Sequence, residues 1–147
     1  MEVCRDRYGD FSPGIFNLWT CAMCYHYLFQ DKKELRVNWP LGSSLKATNS
    51  SLFHEGQVIY TDITNQTVSR LVCRTLDEYN CKRWRQCCLA AVTCCEKQLL
   101  DKRFVPVRPG YCPQTWDGFS CVNEVLKGNT VYITCPPYID QRSPLGK

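Results

Sequence analysis

The chain is 147 residues long, with 44% hydrophobic and 22% charged residues and a formal net charge of +4 from 18 basic and 14 acidic side chains. That length suits one ordered domain with chain to spare, and the composition excludes collagen-like and low-complexity behaviour. No run of eighteen or more apolar residues occurs, so no segment reads as a membrane-spanning helix, and the densest basic knot, Lys82-Arg83-Trp84-Arg85, suits a solvated helix face better than a nucleic-acid patch.

In chain order, residues 1–29 read as an irregular N-terminal segment. The stretch from Ile15 to Cys24 follows Arg5 and Arg7 and has the look of a poor signal peptide, because Asn17 and Thr20 interrupt its apolar run and no small-x-small cleavage site follows. Residues 30–72 mix Lys, Ser, Thr, Asn and Gly and read as a glycosylated linker. They hold the sequons Asn49-Ser50-Ser51 and Asn65-Gln66-Thr67, and one strand-like run, Gln57-Val58-Ile59-Tyr60-Thr61.

From Thr75 the pattern changes. Thr75-Leu76-Asp77-Glu78 has the form of a capping box, and Trp84, Cys88, Ala91, Cys95 and Leu99 follow on one face, which predicts a helix over residues 76 to about 100. Beyond the prolines at 106 and 109 the chain turns to short strands: Thr115-Trp116, Phe119 to Val122, and Thr130 to Thr134, with Lys127-Gly128-Asn129 as a turn. Residues 73–147 thus outline a small disulfide-rich α+β domain, one long helix followed by short antiparallel hairpins.

Twelve cysteines in so short a chain signal a disulfide scaffold in an oxidising, extracytoplasmic compartment, in agreement with the sequons. Cys81, Cys88 and Cys95 recur every seven residues, with Cys87 and Cys94 on a neighbouring stripe. Two positions seven apart on a helix are separated by about 10 Å, beyond the reach of a disulfide, so their partners lie elsewhere, with Cys73, Cys4, Cys21 and Cys24 as candidates. The sequence leaves the pairing open.

Competing chemistries find little support. Cys21-x-x-Cys24 near His26 lacks the second half-site of a zinc module, and no strand–helix context makes it a thiol oxidoreductase. His26 and His54 stand apart from any serine or carboxylate constellation, and no phosphate loop is present, so neither enzymatic activity nor a cofactor is expected.

The segment Cys112-Pro113-Gln114-Thr115-Trp116-Asp117-Gly118-Phe119-Ser120-Cys121, then Gly128, then Cys135-Pro136 with Tyr138, resembles the extracellular hormone receptor domain of secretin-like (class B) G-protein-coupled receptors, closest to calcitonin- and diuretic-hormone-type members. The resemblance covers residues 75 to 139 and implies that the hormone receptor domain is incomplete at its C-terminal side. In it, Cys95 stands as the first framework cysteine and Cys112, Cys121 and Cys135 as the second to fourth, with a first-to-third bond, Cys95–Cys121, pinning helix to sheet. The family partners of Cys112 and Cys135 would lie downstream of Lys147.

The resemblance further implies a structural core of Trp116, Asp117, Gly128 and Pro136, with Asp117 holding neighbouring loops, and a peptide groove between helix and hairpins touched by Phe119, Tyr138 and Trp84. Val122 departs from the tryptophan the family carries there. The expected partners are a peptide hormone or neuropeptide and, through a seven-helix region, a G protein. The place of action is the extracellular face of the plasma membrane, or outside the cell if the chain is naturally truncated. A secreted cysteine-rich decoy and a structural module of an adhesion-type receptor are the alternatives.

Overall fold

The computed structural model describes residues 2–39, 42–48, 51–104, 109–126, 128, 136 and 138. Its strands are short and fall into three sheets. Strand β1 (Cys4–Asp6) pairs antiparallel with β2 (Gly9–Phe11); β3 (Leu35–Val37), β4 (Ser44–Ala47) and β5 (Val58–Tyr60) form an antiparallel three-stranded sheet; β6 (Tyr111–Cys112) pairs with β9 (Val125–Leu126). Strand β7 (Thr115–Trp116) runs antiparallel to β8 (Cys121–Val122) and parallel to β1, giving the order β2-β1-β7-β8. The N-terminus is thus woven into the sheet that carries the Trp-Asp-Gly turn.

Three helices are present among the described residues: α1 (Pro13–Leu28), α2 (Gln66–Cys73) and α3 (Glu78–Phe104). Together with the antiparallel sheets and five disulfides they make a small disulfide-rich α+β fold, as the sequence predicts. The long helix does not open the domain, however; two further helices and five strands precede it.

Helix α1 corrects the reading of residues 1–29 as irregular or signal-like. Pro13 occupies the first turn, where its fixed φ favours helix entry. Thr20, Cys21, Ala22, Met23, Cys24 and Tyr25 are all buried, and six consecutive residues exceed a full turn. A helical stretch enclosed on every side needs apolar residues all round, which is why this part of α1 lacks an amphipathic period and imitates a damaged signal sequence. It packs against α3, the β1–β2 hairpin and the inner face of β3 and β4. Thr20, which interrupts the apolar run in sequence, is satisfied within the helix, its hydroxyl donating to the Phe16 carbonyl at 2.8 Å.

Residues 30–72 are likewise more than a linker. Leu35 and Val37, Leu45 and Ala47, and Ile59 point into the core while Arg36, Lys46, Val58 and Tyr60 face solvent. Strands of three or four residues are too short to display this alternation convincingly in sequence.

Helix α3 begins as predicted to within two residues, but its cap is Asp77. The Asp77 carboxylate accepts from the Asn80 N–H at 2.7 Å and its carbonyl from Cys81 N–H at 2.8 Å. Thr75 is instead buried, donating to the Val72 carbonyl and meeting the Tyr25 hydroxyl at 2.7 Å.

Two adjacent disulfides, Cys21–Cys88 and Cys24–Cys87, lock α1 and α3 in antiparallel contact. Cys73–Cys81 clips α2 to the first turn of α3. Cys4–Cys95 fastens β1 to α3, and Cys94–Cys121 fastens β8. The candidate outside partners Cys4, Cys21, Cys24 and Cys73 each take one cysteine of α3. Beside Cys4–Cys95, buried Gln98 clamps β1 through both ends of its amide: the Arg5 N–H donates to Oε1 at 2.6 Å, and Nε2 donates to the Arg5 carbonyl at 3.0 Å.

Candidate functional site

The Trp116-Asp117-Gly118 turn sits between β7 and β8. Trp116 is buried, and its carbonyl accepts from the Arg7 N–H at 3.0 Å, extending the parallel pairing with β1. Among the described residues Asp117 holds its own turn, where Oδ1 accepts from the N–H groups of Phe119 and Ser120 at 2.9 and 2.7 Å. Gly118 is required twice over. Its φ is +107°, and a Cβ there would stand 3.3 Å from the Tyr27 ring.

The predicted ligand contacts separate on burial. Phe119 is half-buried with its ring 5.4 Å from that of Tyr27, so it keeps a surface to offer. Trp84 does not: it is 0% exposed, and its indole N–H donates to the Cys21 carbonyl at 3.2 Å. Its position on the apolar stripe of α3 turns it into the contact with α1. Tyr138 is also buried, and its carbonyl accepts from Arg83 Nε at 2.7 Å. Gly128 lies in an exposed turn with φ +90°, and Pro136 is half-buried.

The bond implied between helix and sheet is made one residue earlier than expected. Cys121 pairs with Cys94, whereas Cys95 turns toward β1 and pairs with Cys4. Adjacent helix positions differ by about 100° in direction, so the two neighbouring cysteines serve two different strands. Cys112 is an exposed free thiol; Cys135 lies outside the described residues, as do the predicted strand over residues 130–134 and the sequon at Asn49. Asn65 is exposed at the N-cap of α2, where Oδ1 accepts from the Thr67 and Val68 N–H groups at 3.0 and 3.3 Å.

Phe119 is one end of a larger surface whose other members come from distant parts of the chain. Its neighbour Tyr27 receives a 2.7 Å hydrogen bond from Arg7, whose guanidinium also lies over the Tyr27 and Tyr8 rings at 5.2 and 4.8 Å. Tyr8 meets Trp19 edge-on at 6.3 Å, and Trp19 meets Trp39 at 6.0 Å. Tyr8 and Trp39 are 65% and 57% exposed. Gly42 lies so close to the Trp19 ring that a Cβ there would overlap it, which fixes the loop bearing Trp39 against α1.

Beneath this surface Asp6 is buried. Desolvation raises its carboxyl above the ordinary carboxylate range, against the opposing pull of hydrogen bonds from the Tyr8 N–H and from Trp19 and of the Arg7 charge. Burial also raises the Tyr27 phenol, while the Arg7 hydrogen bond works in the opposite direction. Among the described residues no group of three or more potential metal ligands is found, and no helix is long and apolar enough to cross a membrane.

Most of these residues, Arg7, Tyr8, Trp19 and Tyr27, belong to the segment that composition presents as irregular. A signal was there: seven aromatics lie between Tyr8 and Phe29, interleaved with three cysteines from Cys4 to Cys24.

No protein-family model matches the chain, and no solved structure does. The chain is similar to "G-protein coupled receptor seb-2" of Caenorhabditis elegans, at 24% identity over 159 aligned positions. The match takes in 92% of this chain and 32% of that receptor, so the chain spans about a third of its relative's length. This similarity links the chain to G-protein-coupled receptors, and five disulfides fit an extracellular domain.

Proposed function

We propose that the chain is the peptide-capturing extracellular domain of a secretin-like receptor, of calcitonin or diuretic-hormone type, and that it performs no catalysis. The observation that carries this reading is the Cys94–Cys121 bond, which ties α3 to the strand following Trp116-Asp117-Gly118 in the manner of a first-to-third framework link. Cys121 lies nine residues after Cys112, whose exposed thiol then takes the place of the second framework cysteine. Capture of peptide outside the membrane would be passed to a seven-helix bundle and a G protein. Asn49 and Asn65 would carry glycans.

The test is saturable binding. Labelled calcitonin-like and diuretic-hormone-like peptides are titrated against the oxidised chain and read by fluorescence anisotropy. Saturation by at least one of them supports the reading; its absence for every peptide would favour a structural module of an adhesion-type receptor.

A further inference from the structure

Six side chains from four separated segments form one unbroken stripe: Trp39, Trp19, Tyr8, Arg7, Tyr27 and Phe119. Each stands between 4.8 and 6.3 Å from the next, ring centroid to ring centroid or guanidinium to centroid. Its two most exposed rings, Tyr8 and Trp39, hold much of their faces in water, a costly arrangement on a chain with no partner. Aromatic rings and arginine are also the side chains that dominate binding energy at interfaces.

We infer that this stripe is the docking surface for a peptide segment that places a carboxylate on Arg7 and bulky apolar side chains on the flanking rings. The commitment to a carboxylate rests on charge. Arg7 is exposed and makes no ion pair among the described residues; its near carboxylate, Asp6, is buried behind it and turned to the Tyr8 N–H. The hydrogen bond to Tyr27 and the two ring contacts hold the guanidinium in place, leaving donors of its fork for an incoming acceptor. A fixed fork flanked by apolar faces selects an acidic group beside an aromatic or branched side chain. The inference rests on the peptide-binding reading and gives it a location and a ligand chemistry.

A phage-displayed random peptide library panned against the full oxidised chain tests it. Enriched peptides should carry Asp or Glu next to Trp, Phe or Leu. Synthetic copies should lose about tenfold or more in affinity to Arg7→Gln and to Tyr8→Ala/Trp39→Ala. Tyr60→Ala, which removes an exposed tyrosine outside the stripe, should change nothing. All three variants change exposed side chains, and circular dichroism with a thiol count checks that each is folded.

If peptides bind but are indifferent to these stripe substitutions, or show no acidic preference that Arg7→Gln erases, the stripe is not the site although the chain binds peptide. If no peptide is enriched, the peptide-binding reading falls together with this one. A dimer in sedimentation that Tyr8→Ala/Trp39→Ala dissociates also overturns the inference, because the occupant is then a second copy of the chain.

Discussion

The paired disulfides between α1 and α3 offer the sharpest test of how the cross-links share their work. Cys21–Cys88 and Cys24–Cys87 span 67 and 63 residues of sequence, and treated independently each would stabilise by about 4.3 kcal/mol. They are not independent. With Cys4–Cys95 in place, whichever of the two forms first closes a loop of about 24 to 28 residues in the unfolded chain, and the second then closes a ring of only about 4. The chain-entropy relation assigns about 3.5 kcal/mol to the first closure and about 2 kcal/mol to the second.

Removing either bond as a Cys→Ala pair should therefore cost about 2 kcal/mol, since the survivor keeps the large loop closed, and removing both should cost about 5.5 kcal/mol, more than the sum of the two. Equilibrium guanidinium unfolding of C21A/C88A, C24A/C87A and the quadruple variant measures all three. Peptide mapping confirms that the remaining bonds are native. Single losses near 4 kcal/mol that simply add in the quadruple variant would refute the argument, because each bond would then act without regard to its neighbour.

Other perturbations read different parts of the fold. Gln98→Ala removes the side-chain clamp on the Arg5 N–H and carbonyl beside Cys4–Cys95, stranding the buried N–H, and should cost about 2 kcal/mol in the same unfolding experiment. Asn65→Gln should abolish a glycan released by peptide-N-glycosidase and also lose the α2 cap, about 1 kcal/mol, whereas Thr67→Ala should lose the glycan alone. Asp6 has a folded pKa above its ordinary 3.8, so the folded state holds the proton more tightly than the unfolded chain. The stability this contributes is present below pH 3.8 and is lost as pH rises through the folded pKa. Asp6→Asn, which can still accept from the Tyr8 N–H, should accordingly melt higher than the parent at pH 7, with the gain vanishing at pH 3. Burial pushes the Tyr25 phenol up to about 12, so absorbance at 295 nm should show it titrating well above an ordinary tyrosine.

What the sequence displays and what it hides follow from the environment of each element. Helix α3 has one buried face, so Trp84, Cys88, Ala91, Cys95 and Leu99 recur with the helical period and reveal it. Helix α1 is buried around its circumference from Thr20 to Tyr25 and has no such period to reveal there. The Trp116-Asp117-Gly118 turn is legible because its constraints are local: an Asx turn and a positive φ. The choice between Cys94 and Cys95 for Cys121 is not, since both are buried and only the placement of β1 decides which faces which strand. Trp84 and Tyr138 fail as surface contacts for a similar reason, because an aromatic side chain suits a core as well as a binding face.

The cysteines beyond the resembled framework acquire a purpose when set beside the aromatic stripe. Arg7 follows Cys4 by three residues, Trp19 precedes Cys21 by two, Tyr27 follows Cys24 by three, and Phe119 precedes Cys121 by two. Each of those half-cystines is bonded to α3, so one helix serves as the common anchor for ring and guanidinium positions drawn from distant parts of the chain. A surface assembled from separate loops would otherwise lose affinity to the entropy of ordering them on binding. Trp39 stands apart, held by the Trp19 ring and the close approach of Gly42 rather than by a neighbouring disulfide. The cross-links therefore do more than stabilise a small core: they fix in advance the geometry on which recognition by this face depends.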